Sequence, residues 1–498
     1  MKNALLIFAF LSFYLSSVHA SVEIRSNKLT TGDGLANNSI RYMFQDSKGF
    51  MWMGTVNGLS YYDGNSFVSI YPDPNLPISL ADPRIRNMEE DSNGFLWIAT
   101  LSSLYSCYDL KHGRFVDFTG CGEYKQSYSK KIIASDQSIW LWDNNNGCRR
   151  VVYQDGQFSS QAYKKELGNL SSDKVLFVYE SNDSPGHVWI GTKQGLWKYH
   201  DGKLEAMDTQ GESWEHIFSY DQYTCIITGK KEIYRHSLSN NRLEKIASLT
   251  ELGDTGVITG SLRLQHQWVM FTATGSYILD PVTGKLRRFS RLNIKNGNVT
   301  RDNKGNAWVH NYTGNVWYVN TSTGDIKHFQ FLSSEHLGYI DVERYSIIHD
   351  SRDIIWITTY GNGLFAYDLN TGDLQHFTFE VSHSSHINSN YLQYIIEDRS
   401  GGIWVSSEFS GLSHLEILNK GTLRIYPNGE DASDRSNTIR MLLRGKNGNV
   451  YMANRMGTLY EYDADLKNIL RREKFTHNVY SMCEDNEGQL WLGMRGIG

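Results

Sequence analysis

"NNSIRYMFQDSKGFMWMGTVNGLSYYDGNSF", residues 37–67, places three turn signals in one short stretch. Asp46-Ser47-Lys48-Gly49 has Asp first and Gly fourth, the order a β-turn prefers. Asn57-Gly58 and Asp63-Gly64 tolerate the positive φ of tight hairpins. Between these turns lie runs of strand length: Ser39 to Gln45, Phe50 to Thr55, "LSYYD" and "FVSIY". The stretch predicts four antiparallel strands joined by three tight bends, with Trp52 on the second strand.

Aligned on that tryptophan, the unit returns along the whole chain. Copies surround Trp97, Trp140, Trp189, Trp268, Trp308, Trp356, Trp404 and Trp491; two more centre on Ile226 and Tyr451, where the indole is replaced. Neighbouring copies lie about 37 to 49 residues apart, a period that fits the blades of a β-propeller. The expected fold class is all-β: a seven-bladed β-propeller over residues 21–335, followed by an incomplete second β-propeller of about four blades over 336–498. The last copy stops within its own second turn, which suggests a truncated product of a longer architecture.

Composition agrees with this reading. Of 498 residues, 40% are hydrophobic, and 44 Gly with 30 Tyr and 13 Trp favour short strands and glycine turns over long helices. The net charge of −5, without a block of basic residues, argues against a nucleic-acid partner. Residues 1–20 read as a cleaved signal peptide: Lys2 begins it, Ala4 to Val18 is mostly apolar, and Val18-His19-Ala20 ends it. No later run is long and apolar enough for a membrane span. Five cysteines form no CxxC motif; Cys107 and Cys121 are either a bridged pair or two small buried side chains.

The unit "I-x-x-M/I-x-x-D-x-x-G-x-x-W-x-G-T-x-x-G-L" resembles the two-component regulator propeller repeat. The opening "LTTGDGLANNSIRYMFQDSKGFMWMGTVNGLSYYDGNSF" is similar to the start of periplasmic sensor regions in hybrid histidine kinases of glycan-degrading Bacteroidetes. The resemblance covers the mature chain and is weakest from about 205 to 300, where the Asp-x-x-Gly turn is lost. It implies a periplasmic receptor of two seven-bladed propellers that binds an oligosaccharide ligand and acts as a homodimer in the intact receptor. It also implies kinase and regulator parts for which this chain carries no motif, so no enzymatic activity of its own is expected.

Each Asp-x-x-Gly turn (Asp46, Asp91, Asp302, Asp398, Asp485) offers one or two acids, fewer than a calcium loop requires, so no metal or cofactor is expected. The residue five before the turn Asp sits at the start of an inner strand. It is Arg41, Arg86, Tyr345, Gln393 and Tyr480, with Arg440 in the unit whose turn begins at Gly445. Strand alternation allows these side chains to face a central channel, where Arg and Tyr suit an anionic or hydroxyl-rich sugar. Ordinary hydrogen bonds between blades are the plainer role for them. Loops after the Trp strand, with Asn57, Tyr360, Phe409 and Arg455, form a second candidate surface. The alternative reading is a propeller glycoside hydrolase or polysaccharide lyase, which needs paired carboxylates or a base with charge-stabilising partners.

Overall fold

In the computed structural model, the described residues are 23–119, 128–181, 184–208, 213–229, 232–238, 241–254, 257–302, 304–311, 315–330, 345–380, 386–418, 425–428 and 435–495. The signal-peptide reading of residues 1–20 falls outside them, as does Cys121; Cys107 is a buried free thiol. The described residues form strands, turns and a few one-turn 3-10 helices. The chain divides into two compact units, 1–417 and 418–498.

Among the described residues, unit 1 holds nine antiparallel sheets of four strands. The first, quoted above, consists of Ile40–Gln45, Met51–Thr55, Leu59–Tyr62 and Phe67–Ile70. The first strands of sheets 2 to 9 are Ile85–Glu90, Lys130–Ile133, Val175–Ser181, Trp214–Asp221, Gly260–Leu264, Asn298–Arg301, Ser346–His349 and Leu392–Glu397. Apolar side chains of each sheet pack on the next. Trp52 and Leu59 meet Ile85 and Ile98, Trp97 meets Leu141, and Trp308 meets Ile357. Sheet 9 in turn packs on sheet 1, where Trp404 and Leu412 join Met43, Met51 and Met53.

The circuit closes through the first strand of the chain. Glu23–Leu29 pairs with Leu412–Leu418 as the fourth strand of sheet 9. The expected boundary at 335, after seven units, is therefore not where the chain divides. Units eight and nine, around Trp356 and Trp404, belong to the first compact body. Identical units all offer an edge to the opening strand, so a repeat count does not say which edge it takes. Unit 2 contains one four-stranded sheet, begun by Ile439–Arg444, and one two-stranded sheet, Val479–Glu484 with Leu490–Met494.

One local device recurs. The Asp46 carboxylate accepts from the backbone N of Lys48 and Phe50 through one oxygen, and from Trp52 Nε1 at 2.8 Å through the other. The same indole bond joins Asp91 to Trp97 (2.8 Å), Asp350 to Trp356 (3.0 Å), Asp398 to Trp404 (2.7 Å) and Asp485 to Trp491 (2.7 Å). A second device ties successive sheets together. A serine at the turn donates to a glutamate near the end of the next sheet's first strand: Ser47 after Asp46 to Glu90, Ser135 after Ala134 to Glu180, Ser351 after Asp350 to Glu397. At the closing interface, Arg399 N donates to Gln45 at 2.8 Å.

Two outcomes test this architecture. A chain beginning at residue 30 lacks the strand that completes sheet 9 and bares a sheet edge. Its melting midpoint, followed by circular dichroism, should fall by several degrees; an unchanged midpoint would refute the pairing. Burial favours protonation of Asp398, but bonds from His414, Ser400, Trp404 and Gly402 N outweigh it and hold the carboxyl well below its usual value. Its stabilisation is therefore complete above about pH 4 and lost as pH falls toward the folded value. Asp398→Asn should cost about 2 kcal/mol at pH 7, and its deficit should shrink between pH 4 and pH 2 in denaturant titrations.

Candidate functional site

Six residues are expected to bind ligand, and five of them share a backbone irregularity. In sheet 1 the register passes from Ile40↔Thr55 to Tyr42↔Gly54, leaving Arg41 bulged out of the ladder. Arg86, Gln393, Arg440 and Tyr480 are left out in the same way in their own strands. A bulge bends the strand and re-aims one side chain. The sixth residue, Tyr345, immediately precedes the strand Ser346–His349. Leu176 and Glu215 are bulged equivalents that the sequence reading did not single out, because the sequence of sheet 5 has no Asp-x-x-Gly and counting back five from Asp183 in sheet 4 reaches Val178.

The bulges lie where the first strand begins, which is where the Trp strand ends. Both candidate surfaces therefore share one rim rather than standing apart. Arg41 shows this, pairing with the largely buried Glu408 of the loop after Trp404 at 3.7 Å. In that same loop Phe409 is 72% exposed, and Tyr360 of the neighbouring sheet meets Tyr391 at 5.3 Å between ring centroids. Arg86 is exposed on its own strand. In unit 2, the Arg440 guanidinium stacks 4.2 Å from the Tyr480 ring centroid, and its hydrogen bond holds that phenol below the ordinary value.

Tyr345 and Gln393 come together. They line a cavity of about 570 Å³ formed by the first strands of sheets 7, 8 and 9, which runs from this rim to Arg301, His349 and Glu397 at the turn end. Tyr394, also in the lining, stacks against Tyr42 at 4.6 Å, and burial pushes both phenols up. Glu397, the one carboxylate among the described lining residues, accepts from Ser351 N and Oγ. Behind Tyr345 stands His310, its ring 5.3 Å away and edge-on; burial pushes its imidazole down to about 4. The turn carboxylates contribute no binding group here, since they are occupied by their own turn and indole donors.

Segments 34–57, 79–102 and 474–496 match the family described as Two component regulator propeller. The match is confined to these three segments of the chain. The first two matched segments hold Trp52 and Trp97 of unit 1, and the third holds Trp491 of unit 2. No curated protein matches the chain. Among solved structures it is similar to the extracellular domain of the hybrid two component system BT3049 from B. thetaiotaomicron, at 17% identity. That likeness covers 94% of this chain and 69% of the other, with a TM-score of 0.35. The extracellular domain of the one component system BT4673 from B. thetaiotaomicron is also 17% identical, with 95% and 71% covered and a TM-score of 0.36. BamB from Moraxella catarrhalis is 11% identical, with 79% and 98% covered and a TM-score of 0.41.

The depressed His310 pKa makes the wall behind Tyr345 pH-sensitive. The unfolded imidazole takes up a proton near its ordinary value of about 6.5, whereas the folded one resists until about 4, so stability is lost as pH falls through that window. The loss at pH 5 should be on the order of 2 kcal/mol. Chemical denaturation of His310→Gln at pH 7 and pH 5 should show a correspondingly smaller difference than the parent protein.

Proposed function

We propose that this chain is the periplasmic ligand-sensing region of a two-component signalling receptor, that its ligand is an oligosaccharide, and that it performs no catalysis of its own. The observation that carries the reading is the cavity between sheets 7 and 9, set in a chain with segments that match the two-component regulator propeller family. Its lining of Tyr345, Tyr394, Gln393 and Arg301 offers aromatic edges and amide and guanidinium donors, the groups that grip sugar hydroxyls. Its volume lies within the range of small-ligand sites.

Export through the 1–20 signal segment would put these sheets in the periplasm. Signalling then requires the ligand to favour one arrangement of two receptor chains over another, because a ligand shifts an equilibrium only by its differential affinity. A homodimer in the intact receptor supplies those two arrangements. The glycoside hydrolase or lyase reading finds little support in this cavity. Glu397 is already engaged by Ser351, and a glycosidase needs two carboxylates facing one another across the sugar.

Calorimetric titration of the full chain with polysaccharide digests, followed by chromatography of the mixture, tests the proposal. Saturable heat without new sugar ends is expected. Gln393→Ala should weaken binding about tenfold, the loss of one or two good hydrogen bonds. New reducing or unsaturated ends would turn the assignment toward the enzyme.

A further inference from the structure

At the turn end of unit 1, between sheets 6 and 7, lies a second concavity of about 510 Å³. It is lined by Arg263, His266 and Arg301, by the hydroxyl residues Thr321 and Ser322, and by Gln265; none of these is a carboxylate. Gln265 fastens its two walls together. Its backbone N donates to Thr321 O at 2.8 Å and its side chain to Thr323 O at 3.1 Å, which ties the hairpin of sheet 6 to a loop of sheet 7.

Arg263 is held without being neutralised, and among the described residues no ion pair engages Arg301. Arg263 lies 5.4 Å over the Tyr220 ring, and its Nε donates to Gln265 O at 3.1 Å; the acceptor is a carbonyl, not an acid. The acid nearest Arg301 in sequence is Asp302, and its carboxylate accepts from Lys304 N, Asn306 N and Trp308 Nε1 of its own turn. Asp325, across the loop, accepts from Thr323 Oγ1 at 2.6 Å. Like charges gathered around one concavity raise each other's energy, and an anion placed among them relieves this. Guanidinium groups also match the paired oxygens of carboxylate, sulfate and phosphate.

We propose that this cleft is an oxyanion-binding site, with Arg263 and Arg301 as the charged clamps and Thr321, Ser322 and His266 as hydrogen-bonding partners. The oxyanion is either a free inorganic ion or the acidic substituent of a saccharide. The site is separate from the sensor assignment, because Arg263 and His266 do not line the larger cavity; Arg301 borders both.

Calorimetry of the full chain with inorganic sulfate, inorganic phosphate, glucuronic acid and neutral glucose tests it. Saturable binding of at least one of the three anions, with none of glucose, is expected. Arg263→Gln should weaken that binding ~10-fold, whereas Lys203→Gln, an exposed charge on the outer strand of sheet 4, should leave it unchanged. Tighter binding of glucuronic acid than of the inorganic ions assigns the cleft to acidic saccharides, and the reverse order assigns it to a free ion. Absence of saturable binding by all three anions, or an affinity unaltered in Arg263→Gln, overturns the proposal. Loss of oligosaccharide binding in Gln393→Ala with anion binding intact concerns only the larger cavity.

Discussion

The hydrogen bond from a buried indole to the aspartate six residues before it organises this protein. Most blades bury a large aromatic ring against a neighbour, yet an indole carries an N–H that costs free energy if buried unpaired. Asp46, Asp91, Asp350 and Asp398 meet that N–H and also cap the turn joining the first two strands. One carboxylate therefore sets the turn, the strand register and the rotamer of the ring that seals the interface. Where the aspartate is missing the ring is still buried, but its nitrogen goes unpaired among the described residues: Trp140 follows Ala134, and Trp268 follows Leu262. The middle of the chain has given up a bond that the sheets on either side retain.

A glutamate near the end of the first strand extends the lock from one sheet to the next. Glu90, Glu180 and Glu397 each reach the preceding turn, and at Glu90 and Glu397 that turn is one that fixes an indole. Gln45 has that role at the closing interface, with Arg399 as donor. A rigid turn end leaves the opposite end free to vary. There the bulges lift Arg41, Arg86 and Gln393 out of the ladder, and the loops after the Trp strands carry exposed groups such as Phe409.

The repeat, its strands and its turns were legible from residue types, since Asp-x-x-Gly, Asn-Gly and the recurring Trp each have a local cause. The positions at the start of the inner strands were legible for the same reason: counting back five from Asp46, Asp91, Asp398 and Asp485 reaches a bulge each time. Glu215 escaped because sheet 5 has no Asp-x-x-Gly in its sequence, and Leu176 because the count back from Asp183 falls two residues away from it. The Asp–Trp and Glu–Ser bonds were present as spacings but had no meaning until the strands were folded against one another.

The sequence by itself determined an all-β chain of four-stranded modules, because hairpin geometry and strand alternation are decided within about ten residues. Only the tertiary structure decided where the opening strand closes, that Tyr345 and Gln393 share a cavity, and that Arg263 and Arg301 face one cleft. It also explains Gly54, where a Cβ would stand 2.5 Å from Ile85 of the adjacent sheet. These are contacts between modules nearly alike in sequence. Local chemistry cannot choose among equivalent edges and faces, so packing around the circuit makes that choice.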